Sequence, residues 1–322
     1  MATESPALDP AAAARLKRAL AALGFDRVGF AVAGPVADQG RYDEWLARGY
    51  AGPMAYLARQ QEAKRDPTAL LPGARSLVLV SLNYHVPDPG SRAARDAGRG
   101  WVSRYAWGRD YHKVLRGKLK QAAALLERDW GARRARICVD SAPLLERSLA
   151  AAAGLGWIAK NTLLIDERLG SYTFLGALLT DLALPPDGPV AERCGRCTAC
   201  LEACPTGALA PERPGWLDAR LCISTLTIET RGDLAPGEAA LLGDHVFGCD
   251  ICQEVCPWNR DAPATREADF APRPGSRRPL LVELLALDRP AFLARFAGTA
   301  LMRAGETRLA RNARAALANA EA

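Results

Sequence analysis

Cysteine spacing is the first chemical signal in the chain. Cys194, Cys197, Cys200 and Cys204, followed by Pro205, read C-x2-C-x2-C-x3-C-P, the run whose thiolates hold iron–sulfur clusters in bacterial ferredoxins. A second run places Cys249, Cys252 and Cys256 before Pro257. In two-cluster ferredoxins the last cysteine of a run ligates the other cluster. That rule groups Cys194, Cys197 and Cys200 with Cys256, and Cys249 and Cys252 with Cys204. The second set lacks one thiolate, and Cys222, between the runs, supplies it. Two [4Fe-4S] clusters then use every cysteine of the nine except Cys138. Zinc also accepts sites of four thiolates, but it usually comes with paired C-x2-C motifs. Cys138 lies in an apolar stretch and reads as a small buried hydrophobe. The expected chemistry is single-electron transfer.

The rest of the chain bounds what receives those electrons. With 322 residues it has room for two or three domains, and 49% hydrophobic and 24% charged residues are ordinary for a soluble globular protein. No apolar run reaches the roughly 18 residues of a membrane span, so no membrane partner is expected. Met1 to Pro10 has neither the basic nor the apolar part of a signal peptide. A cytoplasmic location follows, and there cysteines serve as metal ligands rather than disulfides. The net charge is +6, and it is concentrated. Ala271 to Ala322 carries nine arginines against four acidic residues, and Ser91 to Arg116 carries six arginines and Lys113 against Asp96 and Asp110. Two basic zones suit a polyanionic partner as well as a solvated surface.

Elements that could position a site alternate through the first part of the chain. Asp9-Pro10 caps a helix that Gly24 ends. Strands are expected at Arg27 to Ala33, Arg75 to Asn83, Arg136 to Asp140, Leu163 to Asp166 and Ser171 to Leu184. Helices are expected at Arg41 to Arg48, Pro53 to Arg59, Asp110 to Trp130, and from Pro143 to Gly154 with Ser141 as cap. Val86 to Gly100 reads as a loop. This pattern predicts an α/β (α+β) layer domain over residues 1–185. Pro185 to Pro189 is a linker. A loop-rich ferredoxin-like domain with two [4Fe-4S] clusters spans 186–270. A short, basic, helical part spans 271–322, with helices at Pro279 to Leu287, Arg289 to Phe296 and Glu306 to Ala320.

Asp140 falls where a buried strand hands over to a helix, a usual place for a site in such folds. Its alternative role is a helix cap. Arg104, Tyr105, Trp107, Arg109 and Tyr111 mix cations with aromatics, a composition suited to a phosphate backbone and a stacked base. The other reading is a partly buried helix start with cation–π contacts. His112 sits among Arg109, Tyr111 and Lys113 as a further substrate contact. Arg308 and Arg311 in the basic tail suit phosphate contact.

Four stretches carry a resemblance. They are Val139 to Arg147 (VDSAPLLER), Gly156 to Ile165 (GWIAKNTLLI) leading into Gly170 to Gly176, Ser103 to His112 (SRYAWGRDYH), and Arg220 to Glu229 (RLCISTLTIE). Together with the cysteine runs they resemble the epoxyqueuosine reductases, over about residues 10–320. The resemblance implies a cobalamin-binding α/β domain similar to those of reductive dehalogenases, beside a two-cluster domain and a HEAT-like helical part. It implies reduction of the epoxide of epoxyqueuosine, at the wobble position of a tRNA, to the alkene of queuosine. An external electron donor feeds the clusters, and the chain acts as a monomer. The resemblance also gives Asp140 the role of proton donor and cofactor neighbour. Cofactor contact is implied for Arg65, Lys160, Asn161, Thr162, Ser171, Ser224 and Thr227. Thr225 departs from the pattern, which usually has an aromatic there, and the helical part is shorter than in larger members. Two other readings stay open: a related reductase of a small molecule, and a nucleic-acid-binding protein with structural clusters.

Overall fold

The structure is a computed structural model that describes residues 7–92 and 98–321. The first six residues of the stretch Met1 to Pro10, and the middle of the Val86 to Gly100 loop with Arg95 and Asp96, lie outside the described residues.

The strands, in chain order, are β1 (Arg27–Val32), β2 (Ser76–Asn83), β3 (Trp101–Val102), β4 (Ala135–Cys138), β5 (Trp157–Ile158), β6 (Leu164–Ile165), β7 (Thr173–Thr180) and β8 (His245–Phe247). β2 is buried along its whole length and is central because it is apolar on both faces. It pairs with β1 and β7, and β7 pairs with β4, giving the order β1-β2-β7-β4. All three pairings are antiparallel, so the mixed α/β domain takes the α+β form rather than parallel crossover units. Side chains alternate across the pleat. Val78, Val80 and Leu82 face a core with Leu16 and Leu20 of the helix Pro10–Ala21 and Leu115, Leu119 and Leu126 of the helix Tyr111–Trp130. Leu77 and Leu79 face the other core, with Leu149 and Ala150 of the helix Glu146–Ala152 and with Cys138.

That last helix starts later than the sequence suggests, and Ser141 does not cap it. Asp140 adopts a left-handed φ of 49°, and Pro143 disfavours helix at the residue before it. Residues 140–145 therefore form a loop above the end of β4.

A second core joins distant parts of the chain. β3 pairs in parallel with β8. Trp101, Val102 and Trp107 pack with Val246, Phe247, Leu281, Leu284, Phe292, Phe296 and Leu309. Residues 271–321 are thus not a free tail: the helices Leu281–Leu285, Arg289–Phe296 and Gly305–Glu321 close this core. The approach is tight enough to require glycine at Gly248, where φ is +73° and a Cβ would lie 2.6 Å from that of Ser103.

The expected basic face of the last helix is largely turned inward. Arg311 is buried and donates to the carbonyls of Thr230 (2.9 Å), Gly232 (2.7 Å) and Leu226 (2.7 Å). Arg308 donates to the carbonyls of Ile228, Ala304 and Arg303. The buried Arg311 guanidinium is not free for a phosphate, and the half-buried Arg308 spends donors on carbonyls; both close the carbonyl ends of the 223–232 segment. Arg311→Ala strands several buried acceptors. It should lower stability by about 3 kcal/mol, read as a lower denaturation midpoint under anaerobic conditions. Arg314→Ala, at an exposed position, should leave the midpoint unchanged.

Candidate functional site

A cavity of about 790 Å³ opens beside the sheet, toward the upper end of the roughly 300–1,000 Å³ of small-molecule sites. Tyr42, Trp45, Leu144, Leu145, Leu163, Trp216 and Leu217 give it apolar and aromatic walls. Lys64, Arg147, Lys160, Thr162 and Ser171 add polar groups. Tyr105, Tyr111, Asp140 and Glu146 form one side. A second cavity, of about 230 Å³, is lined by Cys194, Cys197, Cys200 and Cys256. Ala159 and Lys160 line both cavities, so a single turn of chain separates them. The Lys160 ammonium holds that turn to the first cysteine run, donating to the carbonyls of Gly195 (2.7 Å) and Cys197 (2.9 Å).

The other thiols lie near one another. Cys222 lies within charge range of Cys204, Cys249 of Cys252 and Cys222, and Cys252 of Cys222 and Cys204. Cys252 also lies near Cys200, so the two groups are neighbours. Burial, then the adjacent thiols, pushes Cys249 and Cys252 well above the ordinary thiol value. An iron–sulfur cluster placed there would displace those protons. Backbone N–H groups of Ser224 and Thr225 point at Cys222, that of Ile251 at Cys249, and those of Trp258 and Asn259 at Cys256. Such bonds to sulfur are among the protein's means of setting a cluster potential. Among the described residues no three Cys, His, Asp or Glu side chains converge as ligands of one ion. The leftover Cys138 is buried in the sheet, and burial lifts its thiol to about 11.

Asp140 stands at the cavity rim with its side chain 55% exposed. Its N–H donates to the Glu146 carboxylate at 2.7 Å, and its Oδ2 lies 3.0 Å from Nε2 of His112. The surrounding cleft works to raise the Asp140 carboxyl, but His112 and the Tyr111 hydroxyl outweigh it and hold it below the ordinary value. Burial and then the Asp140 charge push Glu146 the other way, to about 8. His112 also reaches Asp110, at 2.8 Å from Nδ1. Burial disfavours the charged ring, yet the bonds to Asp110 and Asp140 prevail and raise it to about 9.

Several expected contacts sit elsewhere. Arg104 and Trp107 are buried and present neither charge nor ring to a partner. The Arg104 guanidinium is packed over Trp101, Trp107 and Tyr172, with centroids 5.3, 5.5 and 5.3 Å away, so the cation–π reading of this segment holds for it. Tyr105 and Tyr111 do reach the cavity. Arg109 is exposed and pairs with Asp269. Arg65 is exposed, pairs with Asp43 and does not line the cavity. Its neighbour Lys64 does, buried and bonded to the Leu144 carbonyl at 3.2 Å. Thr227 is fully buried; its hydroxyl donates to the Ile223 carbonyl and accepts from Gly248 N–H. Ser224 serves the Cys222 sulfur through both its backbone N–H and its hydroxyl. Asn161 is buried, with its amide 3.4 Å from the Cys252 carbonyl. Ser171 donates to Gln253 and accepts from Asn259 while lining the cavity. Thr162 has a left-handed φ of 66° and its carbonyl accepts from Arg147.

Sequence reasoning singled out neither Lys64, Arg147 nor Glu146 as site residues. Two of them lie inside the VDSAPLLER stretch, where a helix start was expected. Trp45 and Trp216 come from segments that carry no signal of their proximity.

Thiol groups set against a small-molecule cavity with paired carboxyls define the class of an iron–sulfur oxidoreductase. Comparisons with known proteins agree. Residues 64–141 match the family described as epoxyqueuosine reductase QueG, DUF1730, and residues 193–259 match the 4Fe-4S double cluster binding domain. Epoxyqueuosine reductase of Salmonella typhimurium is 44% identical over 300 residues, covering 92% of this chain and 77% of that one. The Escherichia coli protein is 43% identical, with 92% and 78% covered. A crystal structure of epoxyqueuosine reductase with an epoxyqueuosine-modified tRNA-Tyr stem loop superposes with TM-score 0.87 and 34% identity, covering 96% of this chain and 81% of that chain. A Bacillus subtilis structure, with its aspartate catalytic loop swung out of the active site, gives 0.85 and 34%, with 96% and 81% covered. The chain belongs to the epoxyqueuosine reductase family.

The thiol grouping makes a direct prediction. Cys222→Ala should lose one cluster, about half of the iron and sulfide, while Cys138→Ala should keep both. Anaerobic metal analysis decides between these outcomes, and full iron content in Cys222→Ala would refute the grouping.

Proposed function

We propose that the protein reduces epoxyqueuosine to queuosine in tRNA, with cobalamin in the larger cavity. Each group of four cysteines, Cys194, Cys197, Cys200 and Cys256, and Cys204, Cys222, Cys249 and Cys252, holds one [4Fe-4S] cluster. An external donor supplies the electrons, and the chain works as a cytoplasmic monomer. No helix among the described residues is long and apolar enough to cross a membrane.

The observation that carries the reading is the shared wall at Ala159 and Lys160 between the cavity and the first thiol group. The residues present fit a corrin. Aromatic and aliphatic walls suit its faces. Lys64, Arg147, Ser148, Thr162 and Ser171 suit the amides and phosphate at its edge. Once bound, its cobalt would pool single electrons into the two-electron reductant an epoxide needs.

The chain's own residues do the rest. The turn at Lys160 keeps the cofactor space next to the clusters. Tyr105 and Tyr111 line the cavity wall beside Asp140, where an extruded base would sit. Asp140, at the rim, hands a proton to the epoxide oxygen as it leaves. Lys113 and Arg116 are exposed on the helix Tyr111–Trp130 beside His112, and Arg116 bonds Ser141 next to Asp140. They would meet the phosphates around the modified nucleotide.

Asp140→Asn should keep both clusters and cofactor binding yet lower turnover by about 10²-fold or more. Anaerobic conversion of epoxyqueuosine tRNA, followed by nucleoside analysis, measures it, and near-normal turnover would exclude the role. Reversing Lys113 and Arg116 to Glu should weaken tRNA binding. It should also flatten the slope of log affinity against log salt by about 0.7 per lost contact. An unchanged slope would remove these residues from the interface.

A further inference from the structure

Resting on that reading, we propose that His112 is the proton reservoir of the site, passing protons to the substrate through Asp140 and recharging from solvent.

The reaction needs two protons. Two electrons arriving through the clusters and two protons convert an epoxide to an alkene and water: both C–O bonds break, and the oxygen leaves as H2O. One carboxyl carries one proton at most. Asp140 in this geometry does not hold even that at rest, since its Oδ2 faces the Nε2–H of a histidine 3.0 Å away. The proton of the resting pair therefore sits on the imidazole.

The ring is built for this. Nδ1 is fixed by Asp110 at 2.8 Å and Nε2 by Asp140, so both nitrogens are donors and the ring is imidazolium. Tyr111 stacks on it, with centroids 4.1 Å apart. Asp110 caps the helix that carries His112, its carboxylate also accepting the His112 N–H. The side chain is 30% exposed, enough to reload from water. Other titratable groups in reach are Lys113 on the same helix, Glu146 (held neutral by burial) and Lys64 across Asp140, and Arg303, whose charge also acts on Asp140. Asp110 and Asp140 are nearest, and they favour the charged ring.

Each transfer moves a proton from Nε2 of His112 to Oδ2 of Asp140 and on to the substrate oxygen. The imidazole left behind takes a proton from water, and the second transfer repeats the first. His112 touches Asp140, so it is a relay residue rather than a catalytic one.

Its proton is held below about 9 and lost as the pH rises through that value. The contribution of the charged ring to stability follows the same course: complete below the ordinary histidine value of roughly 6.5, gone above the raised one.

The test is His112→Gln. Glutamine still donates to Asp140 but cannot release a proton, so a purely structural role would survive the change. The expected result is a kcat lower by about 10²-fold, an unchanged KM for tRNA, and loss of the alkaline fall expected of the parent protein. Unchanged kcat with the alkaline limb intact would overturn the proposal. A second measurement does not depend on turnover. The chain has 3 histidines, and NMR of histidine-labelled holoenzyme, assigned with His112→Gln, follows each ring. His112 should titrate near 9 and fall in Asp140→Asn; titration near the ordinary value would overturn the relay even if the tRNA activity stands. Absence of tRNA conversion by the parent protein, with His112 titrating near 9, would reject the substrate reading and leave the reservoir in place.

Discussion

Everything at the site is referred to one buried ionic knot. Asp250, inside the second cysteine run, accepts from the Ser103 hydroxyl at 2.5 Å and the Arg104 N–H at 2.7 Å. The Arg104 guanidinium lies 3.6 Å from the same carboxylate and 2.8 Å from Glu254. Burial pushes Asp250 upward, while Arg104, Ser103 and the backbone N–H oppose it. Removing either partner would leave an uncompensated buried charge, at a cost of about 3–5 kcal/mol. The knot also fixes geometry. It ties residues 103–104 to the residues around Cys249 and Cys252, and the next turn then delivers Tyr105, Tyr111 and His112 to the cavity. The cavity residues and the cysteines come from segments far apart in sequence, and this contact sets their separation.

The cluster domain illustrates the same economy. Its regular elements are short, such as Ala199–Glu202 and Ile251–Glu254, too short to stabilise themselves. Two other sources of order replace a conventional core. The thiol groups, once metallated, cross-link the loops. Neighbouring elements lend the rest: the last helix threads Asn312 between the Thr227 and Val246 carbonyls at 2.9 and 2.8 Å, and Arg311 closes the carbonyls beside them. Arginines that look like a nucleic-acid surface in sequence are here structural fasteners.

That difference shows what was legible in the sequence and what was not. Cysteine spacing is local and dictated by cluster chemistry, so a double-cluster domain could be read without a fold. β2 could be read because a strand buried along its whole length leaves the apolar run Leu77 to Val80 and Leu82. The fate of an arginine is not local. Arg104, Arg308, Arg311 and Arg314 look equivalent in composition, yet only the last is exposed. What decides is whether unpaired carbonyls or a carboxylate lie within reach, which depends on long-range packing. The antiparallel sheet escaped for a similar reason, since alternating elements do not state strand direction. Glu146 gave no signal of its role, because its partner, the Asp140 N–H, is set by the left-handed turn at Asp140.

The two carboxyls at the cavity show how one small loop separates their roles. Asp140 and Glu146 are six residues apart and joined by the 2.7 Å bond from the Asp140 N–H to Glu146. Were both ionised, repulsion would act across the cleft. The fold avoids this by giving Asp140 the imidazolium and the Tyr111 hydroxyl, and giving Glu146 burial. One stays anionic and the other stays protonated near neutral pH, the separation of values that divides acid from base roles among neighbouring carboxyls. An anionic Asp140 can receive a proton from His112, and a neutral Glu146 adds no negative charge to hold that proton back. The left-handed turn at Asp140 makes this division possible, because it aims the N–H at Glu146 while leaving the carboxylate at the rim. Strain in the backbone is thus placed where the side chain faces the cavity and the amide faces the protein.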